Sequence, residues 1–192
     1  MPLRLTPLMK KRFTRRAQIM IQRSLTHFPE LEGKTITVGY TRAHLGSAVL
    51  SYRRESEPRL VIRLKVRKLT YQTIGHELTH LVQGLRRSDR NAVASFHSEN
   101  IPSGEKQCDI WTLARARLFC DDAPTYLRLP HLMRERWPDY AGEVRKLCVA
   151  AIEKRNSFRL YIRWLEGEIR KLAKPPSREK SEPTQLTLPF MD

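Results

Sequence analysis

Apolar positions recur along this chain first at a helical period, then at a period of two, then at a helical period again. From Met9 to His27, Phe13, Ala17, Met20, Ile21 and Leu25 line one side of a helix, and Lys10, Lys11, Arg12, Arg15, Arg16 and Arg23 fill much of the rest. This predicts a basic amphipathic helix, ended by Pro29 and Gly33. Alternation then marks three strands. Ile36, Val38 and Tyr40 share one side of Thr35 to Tyr40, and Ser47 to Arg53 is the second run. In Arg59 to Arg67, Leu60, Ile62, Leu64 and Val66 face opposite to the basic residues between them. The polar turn Glu55 to Pro58 joins the last two strands as a hairpin. From Leu69 to Leu85, Ile74, Leu78, Leu81 and Leu85 form a helical stripe, with Gly84 near the end.

The remainder is helical with interruptions. Arg86 to Gly104 is polar, without a clean period, and reads as a loop. Glu105 to Phe119 reads as a helix with Ser103 as its N-cap, and Ile110, Leu113, Ala114 and Leu118 supply its apolar side. Cys120 to Pro138 is irregular and proline-rich. Tyr140 to Lys174 is one long helix or two, basic but interspersed with glutamates. The fold class expected is α+β: a small antiparallel sheet, then a central helix, then a helical C-terminal half. Residues 1–173 form one domain with a basic N-terminal helix. Residues 174–192, which begin as a run of proline, serine and charge, form a disordered linker and a terminal peptide.

Composition narrows the classes of function. At 192 residues and 40% hydrophobic the chain can bury a core. No apolar run reaches the length of a membrane span, and Met1 to Arg23 has no apolar signal region. Three cysteines at unrelated spacings argue against a disulfide framework or a cysteine-based zinc site, and fit a reducing cytoplasm. The net charge of +16 points to a polyanionic partner, with nucleic acid first, or else to a generally basic surface. No helix-turn-helix, RNA-binding sheet signature or cysteine finger is present. Binding to nucleic acid is therefore expected through phosphates, with weak sequence preference and strong salt dependence.

The candidate chemistry lies in the central helix. His76-Glu77-Leu78-Thr79-His80 reads H-E-x-x-H. Positions i and i+4 share a helix face, so His76 and His80 can hold one metal ion, and Glu77 beside them can reach a water. Zinc accepts imidazole nitrogen readily and requires a third protein ligand. Glu105 is the candidate, in the first turn of the next helix. Asp109, one turn further on, is placed to orient a ligand histidine. His97, in the preceding loop, is the rival ligand. Tyr126, His131 and Tyr140 are candidate partners for an oxyanion, with no basis in the sequence for choosing among them.

His76-Glu77-Leu78-Thr79-His80 followed by Glu105-x-x-x-Asp109 resembles the gluzincin metallopeptidases, the thermolysin-like group, over about Leu60 to Phe119. The resemblance implies a zincin-like fold and a zinc site of His76, His80 and Glu105. It also implies Glu77 as the base, Asp109 as support for a histidine, and an edge strand that binds substrate backbone. The same helices are similar to the ImmA/IrrE-type proteases, which implies a regulatory protease that cleaves a repressor. A third similarity, to the SprT-like proteases of DNA–protein crosslinks, would need His97 as ligand; the glycine and phenylalanine that usually surround it are missing.

The terminal peptide Gln185-Leu186-Thr187-Leu188-Pro189-Phe190 is hydrophobic at the end of a polar linker. It resembles the bacterial sliding-clamp-binding motif, which implies that Gln185, Leu186, Leu188 and Phe190 enter a pocket on the clamp. A tail folded back on its own domain is the other reading. Together these features favour a cytoplasmic, nucleoid-associated zinc endopeptidase acting on DNA-bound or clamp-associated proteins. A non-catalytic nucleic-acid- or clamp-binding adaptor is the alternative from another class.

Overall fold

The computed structural model describes residues 3–51, 58–88 and 101–173. Its one sheet has four strands: β1 (Leu3–Leu5), β2 (Ile36–Tyr40), β3 (Gly46–Ser51) and β4 (Arg59–Leu64), in the order β1-β2-β4-β3. β1, β2 and β4 run parallel, and only β3 pairs antiparallel, with β4. The expected antiparallel sheet is therefore corrected to a mixed one. Alternation located β2, β3 and β4 within a few residues but carries no information on which strand lies beside which. β1 escaped because three residues are too short to show a period.

Seven α-helices complete the described residues: α1 (Pro7–Lys10), α2 (Arg15–Leu25), α3 (Tyr71–Ser88), α4 (Glu105–Arg115), α5 (His131–Glu135), α6 (Trp137–Lys154) and α7 (Tyr161–Leu172). The single helix expected from Met9 to His27 is broken. Thr14 is extended, and its hydroxyl accepts from the Ala17 N–H at 3.1 Å, which starts a new helix at Arg15. The N-cap of α4 is Gly104 rather than Ser103. Its φ of 118° is a conformation that side chains rarely adopt, and its carbonyl accepts from the N–H groups of Gln107 and Cys108. α4 stops at Arg115 because Ala116 is extended, and a 3-10 turn, Arg117–Cys120, follows. α5 interrupts the stretch read as irregular, and α6 and α7 resolve the C-terminal region into two helices.

One apolar core runs from the sheet into the helices. Ile36, Val38, Leu60, Ile62 and Leu64 meet Ile74, Leu78 and Leu81 of α3, and Phe119, Trp137, Val144 and Leu165 continue the core on the far side. α3 is thus enclosed between β3 and β4 on one side and α4 on the other, which buries His76 and Glu77 as well as Ile74, Leu78 and Leu81, and leaves His80 half-buried. Among the described residues no helix is long and apolar enough to cross a membrane. His97, the hairpin turn at 52–57 and the C-terminal peptide lie outside the described residues.

Candidate metal centre

The start of α3 is fixed from a distance. The Asp121 carboxylate accepts from the backbone N–H groups of Tyr71 at 2.7 Å and Gln72 at 2.8 Å, an anion at the positive end of the helix. Next, α3 and α4 approach closely over small residues. A Cβ on Gly75 would lie 2.6 Å from Thr112 Cγ2 and 2.7 Å from Phe119 Cδ1. One turn on, the Thr79 hydroxyl donates to the Gly75 carbonyl at 2.8 Å and shares a 2.9 Å hydrogen bond with Thr112. That approach sets the first turn of α4 against His76 and His80.

Both histidine Nε2 atoms point at one carboxylate oxygen. Glu105 Oε2 lies 3.0 Å from His76 Nε2 and 3.1 Å from His80 Nε2. The outer nitrogens have partners of their own. His76 Nδ1 donates to Asp109 Oδ1 at 2.8 Å, and His80 Nδ1 faces Gln83 Oε1 at 3.1 Å. Asp109 is fully buried and saturated: Oδ1 also accepts from Gln72 Nε2 at 3.0 Å, and Oδ2 from the N–H groups of Tyr126 at 2.6 Å and Leu127 at 2.9 Å. With each Nδ1 acting as donor, the neutral tautomers leave both Nε2 lone pairs facing Glu105.

Three acceptors meeting at one point without a proton or a cation between them would repel. The chemistry and the spacing of these atoms both suit a metal. Zinc binds histidine nitrogen and carboxylate oxygen at about 2.0–2.2 Å, which puts tetrahedral ligands roughly 3.3 Å apart. The two observed separations lie within a few tenths of an ångström of that value.

Cys108 joins the group. His76, His80 and Cys108 bring ligand atoms within 4.8 Å of one another, a cluster that could hold a metal ion. Its Sγ lies 3.2 Å from His80 Nδ1, on the side of the ring away from Glu105. Burial, with the nearby Glu105, Asp109 and Glu77 charges, pushes the Cys108 thiol far above its ordinary range and holds it protonated. Glu105 has the opposite character. Burial raises it, but hydrogen bonds and charges from His76 and His80 outweigh that and hold it below the ordinary carboxylate value. Glu105 faces the Nε2 atoms of both histidines, whereas Cys108 faces the outer nitrogen of His80.

His76 and Glu77 are both 6% exposed. Burial lowers the His76 value, yet the hydrogen bond and charge of Asp109, with Glu77 and Glu105, raise it overall. Glu77 is pushed up to about 7 by burial and by Glu105, against the opposing pull of His76. Its carboxyl packs on β3: a Cβ on Gly46 would sit 2.5 Å from Glu77 Oε1 and 2.7 Å from Cγ. A glycine there makes room for the motif glutamate.

A cleft of about 470 Å³ opens over these groups, between β3 and α3. Glu77, His80, Glu105 and Tyr126 line it, and Ala48 and Leu50 contribute from β3. The Tyr126 ring stacks on His76 with centroids 5.4 Å apart, and burial and then the Glu105 and Glu77 charges raise its hydroxyl, which therefore stays a donor. Of the three oxyanion candidates only Tyr126 lines this cleft; His131 is exposed and pairs with Glu135. The structure thus brings together His76, Glu77, His80, Glu105 and Asp109. Cys108, Gln83 and Gly46 were not singled out from sequence. Gln83, three residues after His80, had a usable signal, since that spacing puts it on the same helix face. Comparison with known protein families, curated proteins and solved structures finds no match.

Proposed function

We propose that this chain is a zinc-dependent peptidase of the gluzincin type, with His76, His80 and Glu105 as metal ligands and Glu77 as the base. The observation that carries the reading is the convergence of two histidine Nε2 atoms on one Glu105 oxygen beside a buried carboxyl. Zinc held there supplies Lewis acidity, which polarises a carbonyl and acidifies water. Asp109 keeps His76 in the tautomer that offers Nε2, and Gln83 does the same for His80. Glu77, with a value near neutrality, takes a proton from water in the cleft and delivers it to the amine nitrogen that leaves. Tyr126, which lines the cleft, is the candidate donor to the oxyanion.

The edge position of β3 supports a polymeric substrate. Among the described residues β3 pairs with β4 alone, and Gly46, Ser47, Ala48 and Leu50 line the cleft, so an extended peptide can add to its other edge. The +16 charge and the clamp-like peptide at Gln185 to Phe190 favour DNA-bound or clamp-associated proteins as substrates. The test is cleavage of DNA-binding proteins and of an unfolded protein by the zinc-loaded chain, with and without DNA. Loss of cleavage in Glu77→Gln supports the reading. No cleavage of any of them, or equal cleavage by wild type and Glu77→Gln, rejects it.

A further inference from the structure

The sheet face turned away from α3 carries an arrangement that the peptidase reading does not use. Arg4, Thr37, Val61 and Val49 form one cross-strand row there, and Arg59 and Ser51 pair in the row beside it. The Arg63 stem lies across Gly39, its Cγ 3.2 Å from where a Cβ would stand. A groove of about 870 Å³ runs over this face, lined by Arg4, Arg59 and Lys34 and by the hydroxyls of Thr35, Thr37 and Ser51. The four strands contain three arginines and no aspartate or glutamate. The connecting residues 52–57 carry two arginines and two glutamates, which leaves the balance unchanged.

Several cations on the helices are neutralised locally. Lys146 pairs with Glu143, Lys171 with Glu168 and Arg136 with Asp139, each three residues apart in sequence. Among the described residues no carboxylate pairs with Arg4, Lys34, Arg59 or Arg63. Cations with no carboxylate partner among the described residues, around a concave groove lined by threonine and serine, suit an anionic polymer with regularly spaced charges.

We infer that this groove binds the phosphodiester backbone of nucleic acid. Among the described residues no aromatic side chain lines the groove, which favours recognition through phosphates without sequence preference. A concave surface admits a strand, whereas a bilayer would reach only protruding cations. The site is independent of zinc. It shares only β3 with the catalytic cleft, where Ala48 and Leu50 form the wall from the other side of that strand.

The test measures binding of a short labelled DNA duplex to the full chain by anisotropy, from about 50 to 300 mM NaCl. Each phosphate contact contributes about 0.9 to the slope of log K against log salt, so Arg4→Gln/Arg59→Gln is expected to lower the slope by about two and weaken binding about 60-fold at about 0.1 M salt. Arg4→Lys/Arg59→Lys keeps the charges and the slope. Arg15→Gln/Arg16→Gln, exposed on α2 and outside the groove lining, changes affinity by no more than about twofold. Glu77→Gln binds DNA as wild type does, which separates this inference from the peptidase reading. Equal losses in the groove and helix variants, a lysine pair as weak as the glutamine pair, or binding to anionic vesicles but not to the duplex would each overturn it.

Discussion

Replacing the motif glutamate should stabilise the metal-free protein, and increasingly so as pH rises. Glu77 is buried and titrates at about 7 rather than at its ordinary 4.5. Below the lower value, folded and unfolded chains both hold the proton. Between the two values the unfolded chain releases it while the folded chain keeps it, so stability falls as pH rises. Above the higher value the folded chain carries a buried charge and the penalty is complete. One pH unit is worth about 1.36 kcal/mol, so the full penalty is about 3 kcal/mol, of which about 2.5 kcal/mol develops between about pH 5 and pH 8. His76 has the same sign. Its raised value contributes stability below its unfolded value, and this is lost as pH rises through the folded one. Since Glu77 is one of the groups raising His76, Glu77→Gln flattens that dependence too. Any cost of seating the glutamine amide is independent of pH and cancels when the two pH values are subtracted. The assay is urea unfolding of chelated wild type and Glu77→Gln, followed by tryptophan fluorescence, at about pH 5 and pH 8. A stability gap that fails to widen towards pH 8, or that widens towards acid, would refute the burial argument.

Other perturbations separate the parts of the site. Gly46→Ala puts a methyl 2.5 Å from Glu77 Oε1, so the carboxyl must move; peptidase activity should fall about 100-fold while zinc content, by mass spectrometry, is unchanged. Asp109→Asn turns one of two oxygens, each accepting from two donors, into an amide donor, and competition with a chelating dye should show zinc affinity about 10–100-fold weaker. Asp121→Ala leaves the N–H groups of Tyr71 and Gln72 without their carboxylate and should cost about 1–2 kcal/mol in urea unfolding.

What could be read from the sequence was what depends on short spacings. Ile74, Leu78 and Leu81 marked the buried stripe of α3, and four-residue spacing placed His76 with His80 and Glu105 with Asp109. The mixed sheet was not legible, because alternation along β2 and β4 says nothing about their being parallel neighbours. Nor were the contacts of Gly46 with Glu77 and of Cys108 with His80. Each joins residues about 30 positions apart whose meeting depends on how β3 and α4 pack against α3. The break at Thr14 was missed for a different reason: a threonine suits a helix interior about as poorly as it suits a cap well, and the apolar period continued through it.

The ligand set is the centre of the account, and zinc content of purified variants tests it most directly. Wild type, Cys108→Ser and His97→Ala should each retain about one zinc per chain after dialysis, and Glu105→Ala should lose it. Zinc kept by Glu105→Ala but lost from Cys108→Ser or His97→Ala would contradict the proposed site, as would a wild-type protein that binds none after reconstitution.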